Sequence, residues 1–359
     1  MKKTCVLILS LCLMMTSSAL AVQTPSFQKY SYVFFDTFDT VITILGYASD
    51  KAVFDRAATQ AEAAFKRYHM IFDQYHPYEG IQNVYTLNHQ AAQGPVEVPQ
   101  ELFDLLSYCK EMQPKMRDTV NVAMGTVLSL WHEARELAES DPEHATLPKM
   151  AALQEAARHT NMDDVVLDAD KHTVFFADPE LKLDVGAVAK GYATELVAKQ
   201  MLESDLSHFI INAGGNVRTG NPPLDGRSNW GVGIQDPDAA IHSPTDGNVL
   251  DVLYMHNLSS VTSGDYQRFF TLDGKRYHHI IDPLTLMPSQ YMRAVTILTE
   301  DSGLADMLST ALFLMSQEDG AAFIQSLGLP VDALWVLNDG SVVMTEGAKK
   351  MAHSQGAGN

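Results

Sequence analysis

Asp306 and Thr310 stand four residues apart in residues 301–315, DSGLADMLSTALFLM, and so share one face of the helix this stretch predicts, with Asp301 or Ser302 as its N-cap. A carboxylate beside a hydroxyl suits a hard cation such as Mg²⁺, which prefers oxygen and keeps part of its water shell. The competing reading has Asp306 favouring the helix N-terminus and Thr310 bonding back to a carbonyl. Lys190 falls in the first turn of another predicted helix, within residues 181–199, LKLDVGAVAKGYATELVAK. The helix dipole there is already positive, so an anion would ease the lysine's position, and exposed amides plus a lysine form a phosphate seat. Asp184 closes the strand predicted before that helix and could order a hydroxyl or a metal; a solvated Lys190 on a plain strand–turn–helix is the alternative. His278 and His279 are adjacent on a predicted strand, so only one can face a given cleft, where it could move a proton or simply be a hydrogen-bonded structural histidine. The NAGGN run at 212–216 puts two glycines after a strand, which allows either a close backbone approach or a tight turn. An acidic metal pair, a lysine at a helix start, a glycine turn and a histidine together suit chemistry on a pyrophosphate, where positioning and charge neutralisation do most of the catalysis.

The elements that must position these groups follow from periodicity. Residues 23–30 read as a mobile leader, and 32–45, YVFFDTFDTVITIL, as a strand or a bent pair of strands. Residues 50–74 carry apolar positions at helical spacing, ended by His76-Pro77-Tyr78-Glu79-Gly80. Residues 99–116 and 148–160 predict helices, and 121–131 is apolar. The acidic run 133–143 ends at Asp141-Pro142 and reads as a loop. Residues 164–167 and 173–176 read as hairpin strands, and 207–211, 230–235, 250–255 and 259–262 as further strands. Asp273-Gly274 predicts a hairpin between 269–272 and 276–281.

The length of 359 residues suits one large domain or two tightly joined ones. Against 25 Lys and Arg stand 44 Asp and Glu, a net charge of −19, which argues against nucleic acid as a partner. Residues 1–21 have the form of a secretory signal: Lys2 and Lys3, an apolar run from Cys5 to Met15, and Ala19-Leu20-Ala21 at the cleavage point. Lipidation at Cys12 is the second choice, because Leu11 is large for that cleavage pattern. Cleavage leaves Cys109 alone, excluding an internal disulfide framework, and its apolar helical setting predicts a core thiol.

DVGAVAKGYA, NAGGN, TSGDYQRFF, HHIIDP and ADMLSTALF, in this order, resemble the motifs of the ApbE family of FAD:protein FMN transferases. The resemblance spans about Phe34 to Trp335. It implies an α+β fold of two closely packed subdomains with a flavin cleft between them, occupying residues 22–345 and followed by a frayed tail at 346–359. It implies a reaction in which FAD binds with Mg²⁺, a threonine of another protein receives FMN through a phosphoester, and AMP leaves. The implied acceptors are extracytoplasmic flavoproteins such as subunits of Rnf- and Nqr-type redox pumps, which accords with a periplasmic location. By position, the implied metal site is the carbonyl of Ala187 with Asp306 and Thr310, and Ser309 alongside. The implied FAD contacts are Phe38, Thr119, Val120, Asn121, Asp184, Lys190 and Ile280, with His279 taking the threonine proton and Asp306 acting in catalysis through the metal. Two places depart from the family pattern. The common Met-Gly-Thr is matched by Phe38-Asp39-Thr40, with Phe35-Asp36-Thr37 competing, and the serine-bearing segment after the first helix is replaced by residues 76–80. A metal-dependent FAD pyrophosphatase and a non-catalytic periplasmic FAD-binding protein are the rival functions.

Overall fold

The computed structural model describes residues 27–238 and 248–358, so the signal-like stretch 1–21 and Cys12 lie outside the described residues. Strands β1 (Gln28–Thr37) and β2 (Thr40–Ala48) form a hairpin, and pairing starts at Gln28 opposite Ala48, within the stretch expected to be a mobile leader. Helix α1 (Lys51–Phe72) begins where the Asp50 carboxylate accepts the Val53 amide at 2.9 Å. Helix α2 (Val84–Gln90), strand β3 (Val96–Glu97), and helices α3 (Gln100–Met112), α4 (Gly125–Ser140) and α5 (Met150–Ala156) lead to the hairpin β4 (Val165–Asp168) and β5 (Thr173–Phe176). Helix α6 (Ala189–Leu202) runs into the hairpin β6 (Phe209–Ala213) and β7 (Asn216–Thr219). Strands β8 (Trp230–Gln235) and β9 (Val249–Met255) pair with each other. After β10 (Ser259–Gly264) comes the predicted hairpin, β11 (Phe269–Leu272) and β12 (Lys275–His278). Strand β13 (Ala294–Thr299), helices α7 (Ser302–Phe313) and α8 (Gln317–Leu327), strands β14 (Asp332–Val336) and β15 (Val342–Met344), and helix α9 (Glu346–Met351) complete the chain.

Eight strands make one antiparallel sheet in the order β1-β2-β6-β7-β10-β13-β14-β15. The fold is α+β, as expected. All six residues of β13 are buried, because both faces of the sheet are covered. On one face lies the largest core, with Phe54 and Phe65 of α1, Val197 of α6 and Leu308 and Leu312 of α7 packed on Ile42, Ile44 and Ile297. On the other, Val232, Leu253 and Met255 of the β8–β9 pair meet Val217, Leu298 and Leu334 of the sheet. A third cluster joins Val127 and Trp131 of α4 and Leu153 of α5 to Phe270 of the β11–β12 hairpin. The cleft described below separates this smaller body from the α1–α6–α7 layer.

Three local expectations are corrected. The acidic run at 133–143 is not a loop: α4 continues through Ser140, because Trp131 and Ala134 are buried and polar side chains pair along the helix, His132 with Glu136 at 3.1 Å and Arg135 with Glu139 at 3.7 Å. Residues 181–185 form no strand. Leu181, Leu183 and Val185 are buried as their alternation predicts, but the amide side chain of Asn88 substitutes for a neighbouring strand, accepting from Leu183 N at 2.7 Å and donating to Leu183 O at 3.0 Å. The end of the chain is not frayed: Thr345 caps α9, and Ala348 and Ala352 are fully buried against the second core.

One buried ion pair ties the site's helices to the sheet. Arg218 of β7 donates from Nε to Glu195 of α6 at 3.0 Å, with side-chain exposures of 2% and 5%, and the same carboxylate accepts the Ser302 amide at 3.0 Å where α7 begins. Removing one member of such a pair strands a buried charge, so Arg218→Met is expected to lower the unfolding free energy by about 3–5 kcal/mol, measurable by urea denaturation.

Candidate active site

Helices α6 and α7 cross at Gly191. A Cβ there would run into the Ser302 carbonyl and the Asp306 Cβ, so only glycine permits the approach. The Gly191 amide donates to Asp306 Oδ2 at 2.7 Å. That amide is therefore diverted from the Ala187 carbonyl four residues back, and among the described residues this carbonyl receives no hydrogen bond. The Thr310 hydroxyl, one turn after Asp306, likewise makes no hydrogen bond among the described residues and is not tied back to a carbonyl. Burial raises the pKa of Asp306, while the charge of Lys190, the Asn216 side chain and the Gly191 amide favour its ionised form. Among the described residues no three His, Cys, Asp or Glu side chains gather into a metal cluster. A cation here would be held by one carboxylate with neutral oxygens, which suits Mg²⁺ and does not suit zinc. Ser309 does not line the cleft; it is fully buried, donates to the Asp306 carbonyl at 2.8 Å and touches Ser263 Oγ at 2.8 Å.

The remaining residues implied by the resemblance converge on this one cleft: Phe38, Thr119, Val120, Asn121, Asp184, Ala187, Lys190, His279, Ile280, Asp306 and Thr310. Phe38 lines it, whereas Phe35 is 59% exposed elsewhere, which favours Phe38-Asp39-Thr40 as the matching segment. The double glycine makes a close approach and a tight turn at once: Gly214, at φ +59°, packs on Thr40 where no Cβ would fit. Asp184 orders its turn by accepting the Gly186 amide and the Gln74 side chain, both at 2.8 Å. Asn121 fixes its own segment by donating to the Thr160 carbonyl at 2.7 Å and accepting the Ala123 amide at 2.9 Å.

The two histidines have separate roles. His278 is 4% exposed; its Nδ1 accepts the Ile280 amide, so Nε2 carries the proton and donates to the Ser289 carbonyl at 2.7 Å. It is a structural histidine. His279 places Nδ1 3.2 Å from the Arg268 carbonyl, which can only accept, so Nδ1 holds the proton and Nε2 keeps its lone pair. Burial in the cleft wall, followed by the charges of Arg268 and His278 and more weakly Arg135, holds its pKa down to about 3. Lys190 is likewise lowered, first by burial and then by Arg268, with Asp306 opposing.

Sequence reasoning missed several groups in the cleft: Gln74, Tyr75, His132, Arg135 and Arg268. Reading 133–143 as a loop hid Arg135, although His132 and Arg135 stand three apart at helical spacing, and their side chains meet at 2.8 Å. Lys190, Arg135 and Arg268 give the cleft a cationic wall, and Asp306, Ala187 and Thr310, with their oxygens, line the same cleft. Such a site is built for an anionic ligand that arrives with a hard cation, as a diphosphate does.

The chain belongs to the ApbE family, whose family model matches residues 38–335. Among curated relatives, an FAD:protein FMN transferase of Klebsiella pneumoniae is 31% identical over 73% of this chain and 77% of its own length. One of Treponema pallidum is 33% identical over 73% of this chain and 72% of its own. The crystal structure of an ApbE protein of Thermotoga maritima superposes with a TM-score of 0.77 at 28% identity, covering 90% of this chain and 99% of that one. The flavin transferase ApbE of Vibrio cholerae shares the fold at a TM-score of 0.73 and 21% identity, covering 91% and 100%.

Gly191→Ala is expected to force α6 and α7 apart, lowering stability by about 1–3 kcal/mol through overpacking. Thermal unfolding measures that loss, and Mg²⁺ titration calorimetry should show weakened uptake as the Asp306 carboxylate is displaced.

Proposed function

We propose that the protein is an Mg²⁺-dependent FAD:protein FMN transferase that attaches FMN to a threonine of an extracytoplasmic flavoprotein. FAD:protein FMN transfer is the activity of its curated relatives, and FAD is its substrate and a flavoprotein its acceptor. The observation that carries the finer reading is the pair of unbonded oxygens, Ala187 O and Thr310 Oγ1, beside buried Asp306, with His279 and the cations lining the same cleft. Mg²⁺ at Ala187, Asp306 and Thr310 would supply charge neutralisation for the pyrophosphate and the departing AMP.

The protein's own groups account for the rest. Lys190, Arg268 and Arg135 hold and orient the diphosphate. The threonine oxygen forms a bond to the phosphorus of the FMN half, and the bond from that phosphorus to the oxygen of AMP breaks. The hydroxyl proton passes to Nε2 of His279. A pKa near 3 makes a weak base; burial depresses it first, and the neighbouring positive charges add to that. The negative diphosphate offsets those charges and raises it towards the working range. Support for an extracytoplasmic setting is the signal-like sequence at 1–21, and a subunit of an Rnf- or Nqr-type redox pump suits that space as acceptor.

Intact mass spectrometry tests the reading. Protein, FAD and Mg²⁺ are mixed with a soluble domain carrying a candidate acceptor threonine, and AMP is followed in parallel. The expected result is one added FMN on the acceptor, absent when its threonine is replaced, abolished by EDTA and restored by Mg²⁺. AMP and free FMN with no labelled acceptor would favour hydrolysis, and FAD binding without AMP would favour a binding protein. Asp306→Ala is expected to abolish transfer; intact activity would remove the metal assignment. A pH profile tests His279. A base works when unprotonated, so activity is kept above its pKa and lost as pH falls through it. The acid limb of kcat/KM, which reports the empty enzyme, should therefore lie at lower pH than that of kcat, and His279→Asn should lower kcat by about 10²–10⁴-fold.

A further inference from the structure

The two departures from the family pattern are joined in space. Phe38 and Asp39 form the two-residue loop between β1 and β2, with φ of 53° and 50°. Two successive left-handed residues are the pattern of a hairpin turn that Asn-Gly normally fills, and a bulky phenylalanine is disfavoured there. Asp39 stands where the family pattern has glycine. Nevertheless the loop turns Phe38 into the cleft.

A directed chain of hydrogen bonds holds it. The Phe38 amide donates to Nδ1 of His69 at 3.3 Å, and the two rings meet edge-on at 5.6 Å. Nδ1 must then be unprotonated, so Nε2 carries the proton and faces the Tyr78 hydroxyl at 3.4 Å. Tyr78 passes its own proton on, donating to Asp73 Oδ2 at 2.8 Å. Asp73 is a buried acceptor that also receives the Tyr75 amide at 2.6 Å and the His76 amide at 3.2 Å. Those hydrogen bonds keep its carboxyl below the usual range despite burial, while burial and Asp73 push the Tyr78 hydroxyl up to about 12. Asp73 is therefore ionised and Tyr78 protonated at neutral pH. Tyr78 lies in the segment that replaces the family's serine-bearing one, so one replacement supplies the anchor for the other.

We propose that Asp73, Tyr78 and His69 form a relay of positioning residues that fixes Phe38 against the flavin ring, compensating for the missing glycine at position 39. This rests on the reading of the cleft as an FAD site and adds the residues that set its flavin wall. The loop draws on the relay because two consecutive residues other than glycine hold left-handed φ, Phe38 being the less tolerated of the two; glycine at 39 would remove part of that cost, so the loop would need the relay less.

A double-mutant cycle tests this, with FAD affinity read from flavin fluorescence quenching in the presence of Mg²⁺ and ring contact from the visible absorption shift of bound FAD. His69→Leu is expected to weaken FAD binding about tenfold and reduce the absorption shift. His69→Asn, whose carbonyl can still accept the Phe38 amide, should recover most of the affinity. Asp39→Gly in the His69→Leu background should recover part of it. Should His69→Leu fold poorly, Tyr78→Phe keeps the ring and removes only the hydroxyl, and is expected to weaken binding about threefold. Wild-type affinity and spectrum in these single variants, or an equal loss from His69→Leu with and without Asp39→Gly, would overturn the relay while leaving the FAD site standing. No FAD binding by the wild-type protein would overturn both.

Discussion

The site depends on how closely α6 can approach α7. Gly191 lets the helices touch, and that contact does three things at once. It brings Asp306 within hydrogen-bond reach of an amide at the start of α6. It draws the Gly191 amide away from the Ala187 carbonyl, leaving a backbone oxygen in the cleft with no hydrogen bond among the described residues. It sets Lys190 close enough to favour the ionised carboxylate against the burial that opposes it. The Glu195–Arg218 pair, one helical turn along α6, holds the same crossing from behind by binding the first amide of α7. A buried carboxylate at a glycine contact is an unfavourable arrangement for a core, and it is stable here because each of its surroundings compensates part of the charge.

The protein's acidity and its cationic cleft are not in conflict. The net charge of −19 is spread over the surface, where salt screens interactions beyond roughly 10 Å. Inside the cleft, two charges 4 Å apart interact by about 4 kcal/mol at an effective dielectric of 20. Lys190, Arg135 and Arg268 therefore decide what binds, whatever the sum over the surface. The arginines also pair with neighbouring carboxylates, Arg268 with Asp39 at 3.5 Å and Arg135 with Glu139 at 3.7 Å. These exposed pairs are weak and can yield to a ligand with a denser negative charge.

What could be read from the sequence was what depends on local spacing. Lys190, Asp306 and Thr310 sit on helices whose periodicity is plain, and their motifs fixed the family in order along the chain. The β11–β12 hairpin followed from Asp273-Gly274, whereas strand alternation did not separate the adjacent histidines: β12 ends at His278, both line the cleft, and His278 is set apart by having both ring nitrogens engaged. What escaped depends on distant partners. Nothing near residues 181–185 reveals that Asn88, almost a hundred positions earlier, would replace a strand neighbour. Composition misled at 133–143, where acidic residues suggested solvent although Trp131 and Ala134 already carried the helix inward and Arg135 with it. The tail was misread for the same reason: Ala348 and Ala352 are small, and their burial is visible only when β9 lies against them.

The Phe38 turn shows why local rules fail where they do. A left-handed conformation at a residue other than glycine costs roughly 1–2 kcal/mol, and here two such residues are consecutive. One hydrogen bond contributes about 1 kcal/mol net, so the bond from Phe38 to His69 cannot by itself outweigh that cost. The remainder must come from the edge-on ring contact, the Tyr78–Asp73 link behind it and the packing of Thr40 on Gly214. A turn sustained by so many separate contributions would be discarded if it served only to reverse the chain, since Asn-Gly does so without strain. The turn is intelligible on the proposal that the same loop presents Phe38 to a ligand in the cleft, a demand that a search for good turn residues cannot register.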